Sequence, residues 1–368
     1  MSLINTSLVI SSSHWKGKIS NVNPRVIGSY SVDENQYVNS LKNMKYLRLP
    51  EPGSELDLNV GFETYQIPKK SGKKIDHILK FITSNPEIVK LPTNHPDKGK
   101  RAILPDVVCQ RGLLSTVMMT PFHNYRTSDL YDGWTILAMK FRGTLYFWWD
   151  DTWKTHEDQD VQKTMYYGQK FRHLITTENP NESKDITSPV TKDDFFVTLT
   201  CNMGNQNVLY SGEILGVESN TTVDVDADIT KSSLKLIEMH IKRSGINEAG
   251  LKRNKYLAWW CKTFLMKIET IYVGKRTAEG ILQDIEPLAV KDIPEMTKQF
   301  WTDGGCLKFC EAFLDTVKDL MKDVDDPNTI YEFSYYPKNS NCIQYKVHSE
   351  RSQYSFLPEW YIDFIDQL

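Results

Sequence analysis

The chain has 368 residues, with Lys+Arg 44 against Asp+Glu 47 for a net charge of −3, and 40% of its residues are hydrophobic. That is ample material for a large core but no broad basic field of the kind that coats nucleic acid, so any nucleic-acid site must be local. No apolar run approaches the ~20 residues of a membrane span, and residues 1–14 lack a basic stretch followed by an apolar one, which argues against membrane insertion and classical secretion.

Along the chain, the first 70 residues mix turn formers with short apolar patches. They end in the basic loop Lys69-Lys70-Ser71-Gly72-Lys73-Lys74, which reads as a solvated turn more readily than as a nuclear signal. Ile75, Ile78, Leu79 and Ile82 then fall at i, i+3, i+4 and i+7 and predict a helix stopped by Asn85-Pro86. Residues 135–141 and 144–148 alternate as strands around Arg142-Gly143 and predict a hairpin. Further strands are expected over Phe195–Thr200, Val208–Val217 and Leu234–Arg243. Leu257, Trp260, Cys261, Phe264, Leu265 and Ile268 form the strongest helical stripe and lead into a strand at Thr270–Lys275. A helix from Leu307 carries Cys310, Phe313, Leu314, Val317, Leu320 and Val324 and is expected to end before Asp325-Asp326-Pro327-Asn328, and two strands around Pro337–Asn341 close the pattern. With no repeat and no linker, the expectation is a 1–30 N-terminal segment followed by one α+β domain over 31–368. Its six cysteines are scattered without a CxxC pair, which fits reduced thiols in the cytosol or nucleus. The Asn-x-Ser/Thr triplets at Asn5, Asn181 and Asn220 are then chance matches.

Several residues carry chemistry. Glu213 and Glu238 are expected on neighbouring strands, where paired carboxylates can hold Mg²⁺, although two acids among 47 are a weak signal and solvated edge residues are the commoner outcome. His240 shares the strand face of Glu238, yet one histidine and two acids more often form a structural cluster than a transition-metal site. Cys306 and Cys310, one helical turn apart, read as core. Trp148, Trp149, Tyr166 and Tyr167 could stack bases in a single-strand channel, with core filling the better reading for most of them. No G-x-S-x-G, Walker loop or HExxH occurs, which disfavours the common hydrolase and NTPase classes.

Six segments in register, Cys109-Gln110-Arg111-Gly112 with Thr120-Pro121-Phe122, residues 141–146 (FRGTLY), residues 165–171 (MYYGQKF), Ser211-Gly212-Glu213 with Ile237-Glu238, residues 259–265 (WWCKTFL) and residues 356–361 (FLPEWY), resemble the DXO family of decapping exoribonucleases, including its nuclear Rai branch. The resemblance runs from about Ser31 to the C-terminus. It implies two twisted, mainly antiparallel or mixed β-sheets forming a cleft flanked by helices. It also implies a Mg²⁺- or Mn²⁺-dependent hydrolase that removes incomplete or NAD-type caps, hydrolyses 5′ triphosphates and degrades RNA 5′ to 3′. The implied partners are RNA 5′ ends and a 5′-3′ exoribonuclease or other nuclear protein, in the nucleus or cytoplasm.

Position by position, the chain keeps Arg111, Glu213 and Glu238 of the family's site. It has Arg172 where the pattern has a first Glu, Leu215 for an Asp, His240 for a Lys and Lys262 for a Gln. Arg172 and Lys262 thus offset Glu213 and Glu238, and a strongly acidic metal site becomes neutral. The expectation is that the Arg172 guanidinium replaces the metal, forked over both glutamates, and that hydrolysis is lost or badly weakened while Arg111, Arg172, His240 and Lys262 hold an RNA 5′ phosphate or cap, as in divergent members such as Cutoff. Two alternatives stay open. One is a residual enzyme in which Glu213, Glu238 and the Met239 carbonyl still hold a metal; the other is a non-catalytic scaffold with no cofactor.

Overall fold

In this computed structural model the described residues are 2–3, 8, 10–51, 53–54, 56–65, 75–123, 133–150, 158–182, 194–337 and 342–368. The Lys69–Lys74 loop, the Asn5 triplet and most of the 337–341 turn lie outside them. Two mixed sheets are flanked by helices, as expected. The ten-stranded sheet runs Ser2–Leu3, Gln344–His348, Asp326–Tyr335, Trp134–Phe141, Thr144–Asp150, Val107–Gln110, Gln206–Glu213, Asp194–Met203, Arg25–Asp33, Gln36–Val38. The seven-stranded sheet runs Leu56–Asp57, Ile281–Ala289, Thr270–Arg276, Lys235–Arg243, Gly216–Glu218, Tyr46–Leu47, Thr176–Thr177. Strand Arg25–Asp33 passes through residue 30, so the segment ahead of residue 31 also contributes to the larger sheet.

Local sequence explains most elements. The hairpin turn is made by Arg142 at φ 48 and Gly143 at φ 77, the paired positive values that match the twist of the flanking strands. Gly143 has a second constraint: a Cβ there would lie 2.4 Å from Arg101 Cγ. The helix Ile75–Ser84 buries the four isoleucine and leucine positions named above, together with Phe81. Pro86 does not simply end it but opens a short second turn, Pro86–Val89, where its missing N–H costs nothing. The helix of Leu307 begins earlier, at Asp303, and ends earlier, at Leu320 before the expected Val324, with Cys306 and Cys310 fully buried.

One expectation is corrected. The single strand expected over 208–217 is two strands in different sheets, Gln206–Glu213 and Gly216–Glu218, joined by Ile214 and Leu215. Both linking residues are buried, so alternation fails there: Ile214 joins the main core and Leu215 the cluster around Phe171, Leu174, Ile237 and Met239. Glu213 therefore sits where the chain leaves one sheet for the other. Among the described residues no helix is long and apolar enough to cross a membrane.

Candidate functional site

Four elements converge at this crossing. Strand Val107–Gln110 lies parallel between Thr144–Asp150 and Gln206–Glu213 and passes straight into helix Arg111–Met119, which makes Arg111 the first residue of that helix. The strand end that carries Glu213 is drawn against it through Gly212. A Cβ on Gly212 would lie 2.6 Å from Met266 Sδ and 3.0 Å from Arg111 Cβ, so the absence of a side chain lets the strand approach this closely without displacing either neighbour. Two residues earlier, the Tyr210 hydroxyl donates to the Leu265 carbonyl at 2.6 Å and ties the strand to the end of helix Tyr256–Leu265. Helix Gln159–Ile175, capped by the Asp158 carboxylate on the N–H groups of Asp160 and Val161, packs against strand Lys235–Arg243 and presents Arg172 from its last turn.

The ion pairs divide differently from the expected fork. Arg172 Nη1 donates to Glu213 Oε1 at 3.2 Å, whereas Glu238 Oε2 faces Arg111 Nη1 at 3.9 Å. Glu213 and Glu238 are not on neighbouring strands but on different sheets, and each guanidinium reaches the glutamate on the opposite sheet. The outer pair is well exposed, with Arg172 and Glu213 side chains at 39% and 36%, so water screens it; the inner Arg111 and Glu238 side chains keep only 13% and 6%. Arg111 Nε and Nη1 are buried without a hydrogen-bond partner among the described residues.

His240 lies 3.9 Å from Glu238 Oε1 through Nε2, and its ring stacks on Trp259 at 4.6 Å and 7°. Trp259 stacks in turn on Tyr256. Burial holds the His240 pKa well below its ordinary value, and the positive charges of Lys262, Arg172, Arg111 and Lys255 push it further the same way. The imidazole is neutral near pH 7 and offers a neutral donor rather than a cation. Lys262, on the same helix face as Trp259, is also pulled down, by burial first and then by Arg111, with Glu238 opposing. Trp259 was missed by sequence reasoning. Its signal was an aromatic three residues before Lys262, off the main core stripe.

The aromatic pairs are structural. Tyr166 and Tyr167 are buried, donating to the Val60 carbonyl and to Asn59 Oδ1, and Trp148 packs on Phe356.

The divalent metal implied by the resemblance does not fit this donor set. Glu213 is engaged by Arg172, Glu238 faces Arg111 and His240, and Leu215 is packed into the apolar cluster. Among the described residues no group of three or more His, Cys, Asp or Glu could hold a metal ion. At an effective dielectric of ~20, a unit charge ~4 Å from another of like sign costs about 4 kcal/mol, and a dication about twice that.

The relatives agree with this architecture. The Xenopus laevis "Decapping and exoribonuclease protein" is 27% identical over 365 residues, spanning 93% of this chain and 86% of that protein. Drosophila melanogaster "Protein cutoff" is 23% identical, over 82% of this chain and 76% of its own length. In fold, the crystal structure of Candida albicans Rai1 in complex with pU5-Mn2+ superposes with a TM-score of 0.75 at 20% identity, covering 96% of this chain and 98% of that one. The family model described as RAI1 like PD-(D/E)XK nuclease matches residues 22–362, and the chain belongs to this family of decapping exoribonucleases, whose motifs its sequence carries.

Proposed function

We propose that this protein binds the 5′ end of RNA at the cluster of Arg111, Arg172, His240 and Lys262, and that the decapping chemistry of its family is lost or badly weakened in it. The observation that carries the reading is the buried Arg111 guanidinium, whose Nε and Nη1 make no hydrogen bond among the described residues and whose ion pair with Glu238 is as long as 3.9 Å, next to a lysine whose charge is destabilised by burial. Both are conditions that a bound phosphate relieves: it accepts from the guanidinium N–H groups that lack a hydrogen bond and neutralises the crowded cations. His240 adds a neutral donor at the pocket wall, and Arg172 a cation at its rim. Loss of hydrolysis follows from the engaged glutamates, since water activation in such sites needs a metal they are not free to hold. The Candida albicans Rai1 complex with pU5-Mn2+ supports RNA as the ligand class. Cys109, Cys201, Cys261, Cys306 and Cys310 are buried thiols outside any disulfide, which supports action in the nucleus or cytoplasm.

The test measures binding of 5′-phosphorylated and 5′-hydroxyl RNA of one sequence, and cleavage of 5′-triphosphate, unmethylated-cap and NAD-capped RNAs in Mg²⁺ and in Mn²⁺. Tighter binding of the phosphorylated end, reduced by Arg111→Ala and by Lys262→Ala, with no turnover, is the expected result. Turnover abolished by Glu213→Gln sinks the loss of catalysis, and equal affinity for both ends sinks the end-binding reading in favour of a scaffold.

A further inference from the structure

We propose that the pocket takes up no divalent metal because the Arg172 and Arg111 guanidiniums are its resident cations. This deepens the loss of hydrolysis proposed above and rests on it, but it is tested with the metal alone and no RNA, so its failure is distinguishable from failure of the end-binding reading.

The geometry engages three of the four carboxylate oxygens of the two glutamates. Glu213 Oε1 already accepts from Arg172 at 3.2 Å. Glu238 Oε2 faces Arg111 at 3.9 Å, while Oε1 faces His240 Nε2 at 3.9 Å and accepts from the Met239 N–H at 3.3 Å. The link residue that could supply a third carboxylate is Leu215, and its side chain is buried with Phe171, Ile237 and Met239. Mg²⁺ and Mn²⁺ sites of this kind need near-octahedral oxygen coordination at ~2.1 Å, so an incoming ion must break two ion pairs and then sit beside two displaced guanidiniums. Guanidiniums suit the replacement because they stay charged at every accessible pH and donate in a fork that matches a carboxylate.

The experiment titrates Mn²⁺ alone into the full chain and follows the free-ion paramagnetic resonance signal. The variants are Arg172→Glu with Leu215→Asp, and Arg172→Gln as a milder form. Thermal midpoints with and without chelator are read in parallel. We expect the wild-type chain to leave the free-ion signal undiminished at millimolar Mn²⁺ and its midpoint unchanged by chelator. The double variant should gain Mn²⁺ affinity by roughly tenfold or more, as removal of the repelling charge requires. Stoichiometric Mn²⁺ uptake by the wild type, lost in Glu213→Gln, overturns the proposal. So does a folded double variant, or a folded Arg172→Gln chain, that shows no gain, because the guanidinium would then not be what excludes the ion.

Discussion

The imidazole of His240 lies face to face with the indole of Trp259, 4.6 Å away and 7° from parallel, and this stack holds a neutral ring within 3.9 Å of a buried carboxylate. The folded-state pKa of His240 is depressed, and that of His123 is pushed down to about 4 by burial. In both cases the unfolded chain binds protons that the folded chain refuses. Stability is therefore full above the ordinary histidine value of about 6.5 and is lost as pH falls below it, at up to ~1.4 kcal/mol per pH unit for each ring. Urea midpoints between pH 7.5 and 4.5 should fall in the wild type, and His123→Gln should fall by less; parallel curves would remove His123 from the account.

Lys262 makes the opposite demand on binding. Its pKa in the free site is lowered, and a bound phosphate restores it, so 5′-phosphate affinity should drop as pH rises through the lowered value, by about tenfold per unit beyond it. Lys262→Arg stays charged and should flatten the profile. The check is the ratio of affinities for 5′-phosphate and 5′-hydroxyl RNA across alkaline pH; a ratio equally steep in Lys262→Arg would assign the titration elsewhere.

Gly212→Ala should disturb the site without substituting any charged residue. The added methyl would meet the Met266 sulfur, which can swing away, and Arg111 Cβ at 3.0 Å, which is tied to its helix. A stability loss of about 1–3 kcal/mol is expected from the overpacking, together with a loss of preference for phosphorylated ends. Calorimetry and the same binding assay report both, and an unchanged preference would mean that Arg111 is not where the phosphate sits.

The two ion pairs should differ in cost. Arg172→Ala breaks an exposed pair and is expected to cost less than about 1 kcal/mol, with a salt-sensitive effect. Arg111→Ala leaves the buried Glu238 without its nearest guanidinium and should cost about 1–3 kcal/mol. Denaturant midpoints at low and high salt separate them, and equal costs would contradict the inner and outer assignment.

Much of this was legible in sequence because it is local. The Ile75–Ile82 spacing, the Arg142-Gly143 turn and the alternation of Lys235–Arg243 each depend on residues a few positions apart. The motif resemblance also located Arg111, Arg172 and Lys262. What could not be read depends on packing between distant segments. Residues 208–217 look like one strand because nothing in their alternation reveals that Leu215 is claimed by Phe171 and Leu174 from a helix about 40 residues earlier. Glu213 and Glu238 were placed on neighbouring strands for the same reason. Which guanidinium meets which glutamate follows from how two helices lie on two sheets, and no spacing encodes that.

The crossing of the chain at Ile214 and Leu215 has a mechanical side. Arg172 rides on a helix packed against the smaller sheet and grips Glu213 on the larger one; Arg111 rides with the larger sheet and faces Glu238 on the smaller. The two pairs thus act as crossed stays between halves of the molecule. A ligand that draws either guanidinium to itself removes one of the charged links that span the two sheets.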